Sequence, residues 1–101
     1  MNKFLHIGIP TTQHFPDAIF RKKDKVYITS PSGDFAVEYL RFKKNSPMPK
    51  EVQKNIHVAF LVDNFEKLIN ENKLLKLWTN DNGKKMAFIL HNETVIELLE
   101  E

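Results

Sequence analysis

The sequence predicts an α+β domain built from two related strand-rich halves, the second a βαβββ unit and the first a shortened version of it. Three observations lead there. Phe4-Leu5-His6-Ile7-Gly8-Ile9 matches Asn55-Ile56-His57-Val58-Ala59-Phe60, and Ala36-Val37-Glu38-Tyr39-Leu40 matches Val95-Ile96-Glu97-Leu98-Leu99. The rest of each half is short β-branched and aromatic runs between turn-forming clusters. Helical patterning is confined to one short stretch of the second half. The 101 residues are enough for one core and leave little for insertions. They are read as a single domain, 1–101, with a first module over 1–45 and a second over 53–101.

Taken in order, Lys3 to Ile9 is rich in β-formers and ends at Pro10. Thr11 to Asp17 has turn character, with Pro16 unable to sit inside a helix. Ala18–Phe20 and Val26–Thr29 read as strands around the charged Arg21-Lys22-Lys23-Asp24 stretch. Ser30 to Asp34 is a turn, Phe35–Phe42 a strong strand, and Lys43–Lys54, with Pro47 and Pro49, a linker. In the second half Ile56–Val62 is a buried strand. Asp63 can cap a helix and Glu66 can complete a capping box, with Phe65, Leu68 and Ile69 as the apolar face. Leu74–Thr79 and Met86–Leu90 are strands flanking the Asn80–Gly83 turn, and Asn92-Glu93 is a tight turn into a last strand, Thr94–Leu99. Thirty-two positions separate His6 from Glu38 and forty separate His57 from Glu97. The shortfall is about two helical turns, so the first module is expected largely to lack its helix.

Composition excludes several function classes. A net charge of +2 with short, scattered lysine pairs describes a solvated surface, with no basic patch for nucleic acid. Cysteine is absent, which removes disulfides, thiolate ligands and cysteine nucleophiles. No apolar run approaches the ~18 residues of a membrane span, and no signal-peptide organisation precedes the first strand. The expectation is a soluble cytoplasmic protein.

The chemistry lies in His6, Glu38, His57 and Glu97. Each interrupts an apolar run, and a buried ionisable group must be paired, neutralised or bound to metal. Four such groups from two related halves point to one shared metal site. On alternating strands His6 shares its face with Phe4 and Gly8, and His57 shares its face with Asn55 and Ala59. Small neighbours leave room in front of each imidazole. Glu38 shares its face with Ala36 and Leu40, and Glu97 with Val95 and Leu99. Ile56, Val58, Phe60, Ile96 and Leu98 would face the helix. Two histidines and two carboxylates suit Zn²⁺, Ni²⁺, Co²⁺, Mn²⁺ or Fe²⁺. A histidine on an apolar strand is ordinarily a hydrogen-bonded core residue, so a structural role for all four is the competing reading. His14 and His91 are expected to be exposed or at a cleft mouth, Arg41 to form a surface salt bridge or hold an anionic group, and Trp78 to serve the core or a dimer contact.

A tandem of βαβββ units, opened by His6-Ile7-Gly8-Ile9 and by His57-Val58-Ala59-Phe60 with Val62-Asp63, resembles the vicinal oxygen chelate superfamily. Its branches include glyoxalase I, methylmalonyl-CoA epimerase, extradiol dioxygenases and bleomycin-resistance proteins. Phe4–Pro10, Tyr27–Phe42, Asn55–Glu66 and Met86–Leu99 carry the likeness. It implies a curved mixed sheet around a U-shaped cleft, with His6, Glu38, His57 and Glu97 as metal ligands from the first and last strand of each module. The reduced first module and short loops depart from the family pattern.

The resemblance further implies a divalent-metal-dependent lyase or isomerase acting on a small chelating α-carbonyl compound through an enediolate. Glu97 would be the catalytic base, with Glu38 as second choice. It also implies a homodimer. Two alternatives stand beside this: an Fe(II) extradiol-type dioxygenase using His6, His57 and Glu97, in which Glu38 has no task, and a bleomycin-resistance-like protein that binds a ligand without catalysis.

Overall fold

In the computed structural model, which describes residues 2–101, the chain is α+β, with eight strands and two helices among the described residues. It divides into two compact units. One is His6–Ile56; the other holds the chain up to Leu5 together with His57–Glu101. The first strand, β1 (Lys3–Pro10), runs from one into the other. No helix among the described residues is long and apolar enough to cross a membrane.

The unit His6–Ile56 contains most of β1, then β2 (Ile19–Arg21), β3 (Val26–Ile28), β4 (Val37–Phe42) and a one-turn helix α1 (Lys50–Lys54). The strand order is β2-β3-β4-β1, with β1 and β4 parallel and the other pairs antiparallel. No helix lies between Pro10 and Val26 among the described residues.

β4 begins at Val37, two residues later than its apolar run implies, because the preceding turn is longer. Ser32 and Val37 exchange both backbone hydrogen bonds, at 3.1 and 3.0 Å, and close a loop over Gly33 to Ala36. Gly33 (φ +76°) and Ala36 (φ +50°) both take left-handed backbone. Ala36 is therefore not a strand neighbour of Glu38. For an L-residue that conformation costs about 1–2 kcal/mol. Ala36→Gly is accordingly expected to stabilise the chain by about 0.5–1 kcal/mol after the added freedom of the unfolded state is deducted. The measurement is a higher urea midpoint at unchanged slope.

The segment read as a linker also contains structure. Pro49 ends its extended run as the N-cap of α1 (φ −54°, ψ 141°), and its carbonyl accepts hydrogen bonds from the Val52 and Gln53 amides. Val52 is fully buried, and the Gln53 amide donates to the carbonyls of Met48 (2.7 Å) and Ser46 (3.3 Å). One apolar anchor and four hydrogen bonds to three carbonyls hold a turn too short to show periodicity.

The other unit contains β5 (His57–Val62), α2 (Phe65–Glu71), β6 (Lys73–Thr79), β7 (Lys85–His91) and β8 (Thr94–Glu100). Its order is β5-β8-β7-β6, again with the first and last strands parallel and the rest antiparallel. Val62, Phe65, Ala87, Ile89 and Leu98 form its core, with Phe60, Leu68, Ile69 and Ile96 packed against them. Ile56, expected on that face, precedes β5 and is exposed.

The capping box does not form. Asn64 is the N-cap of α2 and makes no side-chain cap hydrogen bond. Glu66 turns outward to Lys85 (Nζ to Oε1 2.8 Å), and its carboxylate holds the Lys85 ammonium above its ordinary pKa. The helix is placed by the burial of Phe65 and by Asn72, whose amide donates to the Leu68 carbonyl at its last turn (2.8 Å).

Candidate metal centre

Within each unit a histidine on the first strand meets a glutamate on the parallel last strand, and the register is the same both times. In His6–Ile56, Glu38 on β4 stands opposite Gly8 on β1, and His6 lies two residues before Gly8. In the other unit, Glu97 on β8 stands opposite Ala59 on β5, and His57 lies two residues before Ala59. Residues two apart share a face, so each imidazole is the diagonal neighbour of its carboxylate. The residue directly opposite each glutamate is small and buried. A larger side chain there would occupy the space across which the carboxylate leans.

The contacts follow from this register. His6 Nε2 lies 2.7 Å from Glu38 Oε1, and His57 Nε2 lies 3.3 Å from Glu97 Oε1. Glu38, His57 and Glu97 are buried, His57 almost completely, while His6 is half-buried. The Phe88 and His57 rings pack in a T-shape (5.1 Å between centroids), and Trp78 lies against Phe88 at 5.4 Å. Trp78 thus belongs to the wall beside His57, and Lys76 extends its ammonium over the indole at 5.5 Å.

The donor set fits a divalent ion. Two donors about 2.1 Å from one ion stand about 3.0 Å apart at a right angle and about 3.4 Å apart at the tetrahedral angle. The His57–Glu97 separation of 3.3 Å falls between these values, and the His6–Glu38 separation of 2.7 Å is shorter than both. Without an ion the 2.7 Å contact suits an imidazole N–H donating to a carboxylate, a charge-assisted hydrogen bond. Imidazole and carboxylate together match Zn²⁺, Ni²⁺, Co²⁺, Mn²⁺ and Fe²⁺.

Other residues singled out in the sequence lie elsewhere. Arg41 alternates with Glu38 and Leu40, so it projects from the opposite face of β4, where its guanidinium lies 4.1 Å over the Tyr27 ring. It is not beside Glu38. His14 is exposed, and His91 Nδ1 is 2.7 Å from Asn72 Oδ1 at an exposed strand end.

Arg21 was not singled out in the sequence. It shares a pocket of about 130 Å³ with Glu38, together with Ile19, Ile28, Thr29, Ser30 and Pro31. The alternation Ile19-Phe20-Arg21 puts Ile19 and Arg21 on one face, but only the pairing of Ile19 with Ile28, and of Ile28 with Leu40, brings that face alongside Glu38.

No family model matches the chain, and no curated protein matches it. Among solved structures it is similar to the crystal structure of a hypothetical protein from Bacillus halodurans C-125, at 23% identity and a TM-score of 0.68. The match covers 99% of this chain and 94% of that one. At this identity the likeness concerns the fold alone.

Proposed function

We propose that this chain is a small metalloprotein of the vicinal oxygen chelate kind. In this reading two tandem modules, the first without its helix, line a cleft and place His6, Glu38, His57 and Glu97 on one divalent ion. The protein acts as a lyase or isomerase on a small α-carbonyl compound that chelates through adjacent oxygens. The observation that carries the reading is the repeated register: a histidine, a small residue two positions on, and a glutamate opposite it, with pairs at 2.7 and 3.3 Å. A structural histidine needs one hydrogen-bond partner and no particular register. Two copies of one diagonal geometry match a ligand set duplicated with its module. It also gives Glu38 a ligand's place beside His6, which the three-residue dioxygenase arrangement does not.

When bound, the ion would act as a Lewis acid on the chelated carbonyl and favour loss of the neighbouring proton. The protein's part is to hold the substrate and move that proton. Glu97 is the base in this reading. Its contact with His57, at 3.3 Å, is the longer of the two, and the longer contact is read as marking the carboxylate that reaches a substrate proton. The shorter His6–Glu38 contact suits a ligand that stays in place. Phe88 and Trp78 supply an apolar wall that limits water around the imidazole.

The reading includes a homodimer in the cytoplasm. β2 is an edge strand of the sheet, and an unpaired strand edge favours association with a second copy. Native mass spectrometry tests metal and dimer together. The expected spectrum shows two chains per particle and one divalent ion per chain, with the ion lost when either pair is altered, by His6→Gln or by Glu97→Gln. An ion that survives removal of one pair would overturn the shared site, and single chains at micromolar concentration would overturn the dimer.

A further inference from the structure

We propose that Arg21 is a specificity residue: it holds a carboxylate at the far end of the substrate from its chelating oxygens. The substrate class is thereby narrowed to short oxo acids with a second, distal acid group. The inference rests on the reading of Glu38 as part of a metal centre and names the substrate of that same site.

The pocket beside Glu38 is lined by two residues of opposite charge. Glu38 is buried and 2.7 Å from His6. Arg21 is exposed on an edge strand and forms an ion pair with no carboxylate among the described residues. Ile19, Ile28 and Pro31 supply apolar lining, and Thr29 and Ser30 line the same space. Thr29 is committed already, since its hydroxyl oxygen accepts the Tyr39 amide hydrogen bond at 2.9 Å.

Arg21 and Glu38 share the pocket without forming an ion pair, which leaves the guanidinium free for a ligand. Its planar fork matches a carboxylate through two parallel hydrogen bonds. The pocket volume of about 130 Å³ admits an acid group on a chain of two or three methylenes. The apolar walls suit the methylenes. The other cations of this stretch, Lys22 and Lys23, lie in the turn after β2 and do not line the pocket.

The test is isothermal titration of full-length, Co²⁺-loaded protein with two probes that share a chelating end. 2-Oxoglutarate carries the distal carboxylate and 2-oxovalerate does not. The expected result is about tenfold tighter binding of 2-oxoglutarate by the wild type, the exposure of Arg21 keeping the gain modest. Arg21→Gln is expected to abolish that preference and leave 2-oxovalerate binding unchanged, and Arg21→Lys to recover part of it. Equal affinities in the wild type, or a preference that survives Arg21→Gln at full metal occupancy, would overturn the inference and leave the metal centre intact. Failure to load Co²⁺ would instead count against the metal centre. The inference is then decided by glutarate on metal-free protein: chemical-shift changes at Arg21 and Ser30, lost in Arg21→Gln, support it, and their absence overturns it. Displacement of 2-oxoglutarate by equimolar inorganic phosphate would overturn the choice of carboxylate over phosphate.

Discussion

Adding Zn²⁺ at a hundred times its dissociation constant is expected to raise the melting temperature of the chain by roughly 10–20 °C. Binding to the native state alone at that excess contributes about 2.7 kcal/mol, and a domain of this size gains roughly 4–8 °C per kcal/mol. The shift should vanish in His6→Gln. That site is the safest to alter because His6 is half-buried, whereas His57 is fully enclosed. The shift should also shrink as the solution is made acidic, because a proton and the ion compete for each Nε2. Each histidine already faces a carboxylate, so the metal-free protein has a folded state to compare with, and differential scanning fluorimetry reads both conditions. A melting temperature indifferent to Zn²⁺, Ni²⁺, Co²⁺, Mn²⁺ and Fe²⁺ alike would mean that the two pairs are hydrogen-bonded structural elements.

The readable part of the fold and the unreadable part differ for physical reasons. β5 and β8 are legible because each is a run of mostly β-branched and other apolar residues next to polar turns, and Asn92, at φ +55°, is a residue type that tolerates the tight turn. His6, Glu38, His57 and Glu97 stand out for the converse reason, as ionisable groups inside apolar runs. Their pairing does not. It depends on Gly8 standing opposite Glu38 and Ala59 opposite Glu97, a matter of register between strands far apart in sequence. The helix α1 was missed because five residues with Val52 as their buried apolar anchor carry no 3.6-residue signal. Ala36 was placed in a strand because alanine gives no hint of a left-handed backbone. Glu66 satisfied the capping pattern yet found Lys85, a partner brought near only by the sheet. Arg21 belongs to the same category: apart from Ile19, its neighbours on the pocket wall come from β3, the loop after it, and β4.

Glu97→Gln is expected to slow the exchange of the proton next to the carbonyl of a chelating α-carbonyl compound by roughly 10²–10⁴-fold, the span of a lost general base. Exchange into D₂O followed by NMR reads the proton transfer itself and needs no knowledge of the final product. The amide keeps the size of the carboxylate and an oxygen donor, so a folded protein with weakened metal affinity is anticipated, and rates are compared at saturating metal. Glu38→Gln is the control. Its partner His6 is 2.7 Å away, against 3.3 Å for Glu97 and His57. If the longer contact marks the mobile carboxylate, Glu38→Gln lowers metal affinity and leaves exchange at saturating metal within about tenfold of wild type. A larger loss in Glu38→Gln than in Glu97→Gln would reverse the roles of the two carboxylates. Wild-type protein that holds its ion and binds the chelating compound but neither exchanges its proton nor isomerises it would make the site a receptor for such ligands.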